Sequence, residues 1–306
     1  MSEHNVDDER SAGQPVILVT GAAGQVGLEA VRALQGLGTI VAVDRNRVDL
    51  SQLDQVRTLV RETKPALIVN AAAYTAVDRA ESEARIAHVV NVEVPRVLAE
   101  EAARLDSLLI HYSTDYVFDG MKEGSYVEDD EPNPLNVYGR TKLAGEQAIA
   151  AVGGKHLVFR TSWVYGARGR NFMLTMLRLA KQEGAKISVV DDQIGAPTWS
   201  ATIAALSAHV AARYCAGVDS PKWWSEQAGI YHLTAAGETS WYGFARAIFE
   251  SMQREGVDVR PVSSADYPAP TRRPANSRLN CDKLFATFGV RAPDWRTALA
   301  LCAREC

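Results

Sequence analysis

Val16-Ile17-Leu18-Val19-Thr20-Gly21-Ala22-Ala23-Gly24-Gln25-Val26-Gly27 is the stretch on which the fold turns. Val16 to Val19 is apolar and largely β-branched, the composition of a short strand buried on both faces. It stops at three glycines spaced G-x-x-G-x-x-G, and a helical apolar pattern follows from Val26 to about Leu37. Read alone, a glycine-rich loop is a tight turn. Strand, glycine turn and helix in this order make it a dinucleotide site. The glycines let the backbone approach a pyrophosphate, and the helix N-terminus presents free N–H groups to its charge. Gly21, Gly24, Gln25 and Val26 are the candidate contacts.

The next strand, Thr39 to Val43, ends at Asp44, twenty residues after Gly24. A carboxylate there can accept the ribose hydroxyls of NAD(H), whereas the guanidinium of Arg45 suits the 2′-phosphate of NADP(H). Both cofactors remain open. Asp49, with Leu50, either meets the adenine or is a solvated loop acid. Ser51 is the expected N-cap of a helix running to Lys64, with Asp54 as its capping-box partner. A third strand, Ala66 to Val69, runs into Asn70-Ala71-Ala72-Ala73-Tyr74-Thr75. Small residues at a strand exit leave room for a ligand or for a close helix, and Ala71, Ala72, Ala73 and Thr75 join the cofactor candidates. A helix carrying Asn91 is expected over Val89 to Leu105, and strands over Leu108 to Tyr112 and His156 to Arg160. This alternation predicts an α/β fold, a Rossmann-type doubly wound parallel sheet with ligands at its carboxyl edge.

The chemistry concentrates between Ile110 and Lys142. Asn136 is the expected cap of a helix that ends at Gly153-Gly154. Tyr138 and Lys142 lie four apart near its start and so share one face. Thr114 ends the preceding strand and would reach the same place. A free tyrosine titrates near ~10, and an ammonium about 4 Å away is worth roughly 4 kcal/mol at an effective dielectric of about 20. Lys142 is therefore expected to draw Tyr138 down towards neutral pH. The polar loop from Gly120 to Asn136 is long enough to suggest a mobile lid.

After Gly166 the rhythm changes. Helices are expected over Asn171 to Glu183, Ser200 to Ala216 and Trp241 to Glu255, and strands over Ile187 to Val190 and Ile230 to Leu233. This pattern predicts a smaller C-terminal lobe interleaved with the first domain. The expected division gives residues 15–165 plus about 196–232 to the cofactor domain, and 166–195 plus about 233–306 to a substrate lobe. Arg272, Arg273 and Arg278, in and after a proline-rich segment, either grip a diphosphate or form a solvated cluster.

A net charge of −4 gives no reason to expect nucleic acid or an anionic membrane as partner. No apolar run approaches the ~18 residues that span a bilayer. Residues 1–14 are polar and acidic, unlike a secretory signal, and are expected to form a disordered tail. The four cysteines include no C-x-x-C pair and are expected to be free thiols, with the protein cytoplasmic.

Together these motifs resemble the extended short-chain dehydrogenase/reductase group, and within it the dTDP-4-dehydrorhamnose reductase family. The resemblance rests on the Gly24-Gln25-Val26-Gly27 turn, Asn70-Ala71-Ala72-Ala73, His111-Tyr112-Ser113-Thr114-Asp115-Tyr116-Val117-Phe118, Arg160-Thr161-Ser162-Trp163-Val164-Tyr165 and Asn276-Ser277-Arg278-Leu279-Asn280. It covers the chain from about Val16 onward. It implies reduction of dTDP-4-dehydro-L-rhamnose to dTDP-L-rhamnose, the last step of dTDP-rhamnose synthesis, with NADPH or NADH. Thr114, Tyr138 and Lys142 take the catalytic roles by the same resemblance, and Tyr112, Tyr138 and Lys142 lie beside the cofactor. Thr114, Asp115, Tyr116, Trp163 and Arg278 meet the dTDP-sugar, although Trp163 also reads as a core aromatic. A monomer or a homodimer is expected. Some relatives bridge dimers with Mg2+ through glutamates; Glu29 matches one such ligand, but Gly184-Ala185-Lys186 departs from the acidic pattern and speaks against the metal. Two alternatives remain. A sugar-nucleotide dehydratase or epimerase shares the fold, but a dehydratase follows the threonine with Asp-Glu, where this chain has Asp115-Tyr116. A non-catalytic subunit resembling the methionine adenosyltransferase beta subunit would not need Tyr138 and Lys142 together.

Overall fold

Unbroken apolar runs in the first half of the chain become strands covered on both sides. In the computed structural model, which describes residues 14–182, 184–267 and 270–306, these are β1 (Val16–Thr20), β2 (Thr39–Val43), β3 (Leu67–Asn70), β4 (Leu108–Thr114) and β5 (His156–Thr161). The expected tail over residues 1–14 falls, but for Gln14, outside the described residues. A sixth strand, Gly229–His232, pairs with β5, and the parallel sheet runs in the order sixth strand, β5, β4, β3, β1, β2. The doubly wound parallel sheet is therefore as the sequence predicts.

Alternation assigns each face its helices. Ile17, Val19, Leu67, Val69, Ile110 and Phe159 pack on one side, with Ala30 of α1 (Gln25–Ala33) and Ile203 and Ala204 of the later helix Ser200–Cys215. Leu18, Ile68, Leu109 and Val158 point the other way. They meet Val56 and Val60 of α2 (Leu53–Thr63), Val97 and Leu98 of a helix over Val94–Arg104, and Ile149 of one over Val137–Val152. Because β2 and β3 lie on opposite sides of β1, the chain leaves a crevice at the carboxyl ends of β1 and β3, where such sheets bind ligands.

Several local expectations are corrected. Ser51 does not cap α2: its N–H and hydroxyl donate to Asp49 at 3.0 and 2.7 Å, and the helix starts behind Gln52. The single helix expected over Val89–Leu105 is a π-helical turn over Val89–Glu93 followed by α5 (Val94–Arg104), and two short helices that the sequence reading did not expect, α3 (Val77–Ala80) and α4 (Ala84–His88), precede it. A π turn inserts a residue and re-aims the helix beyond it, often at functional sites; here it carries Asn91. The helix α6 (Val137–Val152) begins as expected, with Asn136 Oδ1 accepting from Gly139 N–H at 2.8 Å.

The loop from Gly120 to Asn136 is not a free lid. Tyr126 stacks on Phe118 with ring centroids 4.1 Å apart, and its backbone bonds to Arg278 and Asn280 at 2.8 Å. Asn276 Nδ2 donates to the carbonyls of Lys122 and Gly124 at 2.7 Å, and Glu128 accepts from His232 N–H at 2.8 Å. Apart from Phe118, these partners lie more than a hundred residues away, so the sequence could not reveal the anchoring.

Beyond Tyr165 the chain builds smaller sheets. Lys186–Val190 pairs in parallel with Asp258–Val262, and Ile194–Gly195 sits between Thr239–Ser240 and Asn276–Ser277. The strand over Asp258–Val262 escaped the sequence reading because Asp258, Arg260 and Pro261 give it no apolar run. A separate core, including Tyr165, Met173, Phe244, Ile248 and Trp295, lies against these elements. The helix expected from Asn171 forms over Phe172–Leu179 behind an Asn171 cap, while Glu183 lies outside the described residues.

Candidate active site

A cleft of about 570 Å3 opens where β1, β2 and β3 end. Gly21, Ala23 and Gly24 line it, with Asp44, Arg45, Asp49, Leu50, Ser51, and the run from Ala71 to Ala76. Ten sequence-predicted contacts therefore converge on one concavity. Gly21 has to be glycine: its φ is +68°, and a Cβ would sit 2.7 Å from Ala72 N. No side chain caps α1 at Gly24, so its first N–H groups stay available. The shape and donors fit a dinucleotide pyrophosphate. Asp44 accepts from Asn46 N–H at 2.9 Å, which fixes its carboxylate at the end of β2. Arg79, Glu83, Ile86 and Val90 complete the wall. No motif in the sequence announced these four, since α3, α4 and the π turn bring them in from the side.

Gln25, Val26, Tyr112, Tyr138 and Lys142, also expected at the cofactor, lie off this lining. Gln25 accepts from Asn171 Nδ2 at 2.8 Å, and Val26 packs against the core. Tyr112 is turned away from the cleft because alternation on β4 puts its ring beneath Ser200–Cys215, where its hydroxyl donates to Ser207 at 2.8 Å. What Tyr112 gives the site is its backbone carbonyl, which accepts from Lys142 Nζ at 2.7 Å.

Asn91 links the cleft to α6. Its Oδ1 accepts from Tyr74 N–H at 2.8 Å, and its Nδ2 donates to Thr141 Oγ1 at 3.0 Å. Around the start of α6, Thr114, Asp115, Tyr116 and Tyr138 gather. Thr114 Oγ1 donates to Asp115 Oδ1 at 3.0 Å and accepts from Tyr116 N–H at 3.2 Å. The rings of Tyr116 and Tyr138 meet edge-on, centroids 5.5 Å apart. Gly139 permits this approach, since a Cβ there would lie 2.2 Å from the Tyr116 carbonyl oxygen.

The electrostatics depart from the expectation. Burial pushes Tyr138 up to about 12; Thr114 beside the hydroxyl pulls it down and the Asp115 charge adds to the rise. Lys142 does not lower it, because its amine is turned to the Tyr112 carbonyl and stands 3.1 Å from His111 Nε2. Burial brings Lys142 itself down to about 8, against the opposing charge of Glu146. Asp115 is raised to about 6, again by burial, with Ser277 and Thr114 opposing. Its Oδ2 is buried without a partner, an acceptor left free for a ligand hydroxyl.

The remaining predicted contacts lie further out. Arg278 lines a second cavity of about 310 Å3 with Thr234, Glu238, Asn280 and Arg291. It is linked to the Asp115 region through its neighbour Ser277. Arg273 pairs with Asp78 at 3.3 Å, and Arg272 contributes a carbonyl to Asn136. Trp163, in a left-handed conformation at φ +48°, stacks on Trp241 with centroids 3.6 Å apart. It is thus part of an aromatic stack while remaining half-buried. Glu29 pairs with Arg32 on α1, and among the described residues no three His, Cys, Asp or Glu side chains cluster as metal ligands. No described helix is long and apolar enough to cross a membrane.

Comparison with known proteins adds an independent line. The family model described as the RmlD substrate binding domain matches residues 15–306. The dTDP-4-dehydrorhamnose reductase of Burkholderia thailandensis is 48% identical over 296 residues, covering 94% of this chain and 98% of that protein. The enzyme of the same name from Escherichia coli K12 is 44% identical over 298 residues, 94% of this chain and 97% of its own. The crystal structure of a Bacillus anthracis dTDP-4-dehydrorhamnose reductase in complex with NADP superposes with a TM-score of 0.88 at 34% identity, covering 96% of this chain and all of that one. With the glycine cradle, the Thr114–Tyr138–Lys142 group and near full-length matches in agreement, this chain belongs to the dTDP-4-dehydrorhamnose reductase family.

Proposed function

We infer that this protein reduces the C4 ketone of dTDP-4-dehydro-L-rhamnose to give dTDP-L-rhamnose, the closing step of dTDP-rhamnose biosynthesis. The observation that carries the reading is the intact Thr114, Tyr138 and Lys142 set, tied through Asn91 to a glycine-walled dinucleotide cleft. NADPH or NADH bound in that cleft supplies the hydride. Gly21, Gly24 and the first N–H groups of α1 hold its pyrophosphate, and Asp44 and Arg45 face its adenosine ribose. Tyr138 gives a proton to the oxygen formed at C4, with Thr114 as a second hydrogen-bond partner. Asp115, Tyr116 and Trp163 receive the dTDP-sugar from the cofactor domain, and Arg278 from a substrate lobe made of residues 166–195 and about 233–306. The protein works in the cytoplasm, as a monomer or a homodimer.

Reductases exchange the nicotinamide in every cycle, whereas epimerases and dehydratases of the same fold keep it bound and unchanged. Purified protein should therefore carry little NAD and consume one NAD(P)H per sugar reduced, followed at the nicotinamide absorbance. Sugar conversion by protein holding stoichiometric NAD+, with no loss of added NADPH, would overturn the assignment in favour of an isomerase or lyase.

Cofactor choice gives a second test. With a carboxylate and a guanidinium side by side at the end of β2, NADH and NADPH should both support turnover within roughly tenfold, about 1.4 kcal/mol. Arg45→Ala should weaken NADPH selectively and Asp44→Ala NADH selectively. Equal loss of both cofactors in Arg45→Ala would make the arginine a structural residue instead.

A further inference from the structure

Behind Lys142 lies a buried chain of polar groups that the proposed reaction does not use. Thr20 Oγ1 donates to Asn70 Oδ1 at 2.7 Å, and Ala72 N–H donates to the same oxygen at 3.3 Å. Asn70 Nδ2 lies 2.9 Å from His111 Nδ1, and His111 Nε2 lies 3.1 Å from Lys142 Nζ. All four side chains, from Thr20 to Lys142, are essentially inaccessible to solvent.

Counting donors and acceptors along this chain fixes its protons. Ala72 N–H can only donate, so the oxygen of Asn70 must face it and the amide nitrogen must face His111. An amide NH2 has no acceptor capacity, so His111 Nδ1 carries a lone pair. A neutral ring with Nδ1 bare holds its proton on Nε2, pointing at Lys142. An ammonium has three protons and no lone pair and cannot accept that bond. The arrangement closes only when Lys142 is the neutral amine, accepting from Nε2–H and donating to the Tyr112 carbonyl. Protonating the lysine requires the opposite pattern. Nε2 must then accept, the ring proton must move to Nδ1, and the Asn70 amide must turn over, giving up its 3.3 Å bond from Ala72.

We propose that Asn70 and His111 are positioning residues that set the protonation state of Lys142 through a coupled switch of imidazole tautomer and Asn70 amide orientation. Its two states differ by one long hydrogen bond and one lysine proton, so both stay accessible. Other charged or titratable groups face Lys142 on two sides. Glu146, one turn along α6, favours the ammonium and is itself paired with Arg160 of β5; Tyr138 lies one turn back, with Asp115 beyond it. Burial lowers the proton affinity of both Lys142 and His111, so the histidine stays neutral while the lysine titrates. The tautomer assignment is independent of the proposed reaction; only its effect on turnover rests on that reading.

The test is NMR of the whole protein without ligands, with 15N-labelled histidine and 13C-labelled lysine. Above the Lys142 titration, His111 should be protonated on Nε2 with Nδ1 bare, and the tautomer should reverse at the same pH midpoint as the lysine. A His111 tautomer constant across the lysine titration, or two separate midpoints, overturns the switch. Asn70→Asp offers Nδ1–H a permanent acceptor, so it should lock the other tautomer and raise Lys142's proton affinity about tenfold or more. The pH profile of kcat should move in the same direction, which mere loosening of the fold would not cause. An unchanged lysine midpoint in a folded Asn70→Asp protein also overturns the proposal. Should that variant fail to fold, the wild-type titration still decides.

Discussion

Tyr138→Phe should lower kcat by about 10²–10⁴-fold, the usual worth of a general acid, while leaving cofactor affinity largely intact. The phenylalanine keeps the edge-on packing against Tyr116 and removes only the hydroxyl that stands beside Thr114. Because the phenol is raised to about 12 in the ligand-free protein, it is fully protonated at neutral pH, as a proton donor has to be. Its conjugate phenolate is the costly species, and Lys142 as placed here stabilises the Tyr112 carbonyl contact rather than that charge. Thr114→Val should cost less than Tyr138→Phe, since it deletes one hydrogen-bond partner and leaves the acid in place. Steady-state kinetics with NADPH, paired with a direct binding titration of the cofactor, separates these effects. Near-normal turnover in Tyr138→Phe would remove the tyrosine from the mechanism.

Glu146→Leu should destabilise the fold by about 3–5 kcal/mol. Arg160 reaches Glu146 through Nε at 3.0 Å and Nη2 at 2.7 Å, with both side chains almost fully buried. Arg160 Nη1 already lacks a partner, and the guanidinium lies 5.0 Å over the Phe118 ring. Removing the carboxylate leaves that cation with no counter-charge in a dry site. The double variant Glu146→Leu/Arg160→Met should recover most of the loss, because two buried charges disappear together and the apolar pair has similar volume. Urea unfolding at neutral pH reads both variants. A Glu146→Leu protein as stable as the parent would mean that water or another group reaches Arg160. Glu146 also stands one turn from Lys142 and favours its ammonium, so the same substitution should lower the lysine's proton affinity further.

The sequence by itself determined the features that depend on near neighbours along the chain. Val16–Val19 followed by Gly21 and Gly24 could only be a strand, a tight turn and a helix start, and the cleft formed there because strand ends in a parallel sheet share one edge. Asp44, Asp49 and Ala71 to Ala73 came to that edge for the same reason. The Asn136 cap and the shared face of Tyr138 and Lys142 needed only helical geometry. What the tertiary structure decided depends on partners remote in the sequence. Asn91 needed the π turn to reach both Tyr74 and Thr141, and the Gly120–Asn136 loop is held by Asn276 and His232. Spacing suggested that Lys142 would acidify Tyr138, because four residues on a helix bring two Cβ atoms close. The direction of a long side chain is set by the acceptors within its reach. Here the Tyr112 carbonyl and His111, thirty and thirty-one residues away, hold the amine, and desolvation then outweighs a charge aimed elsewhere.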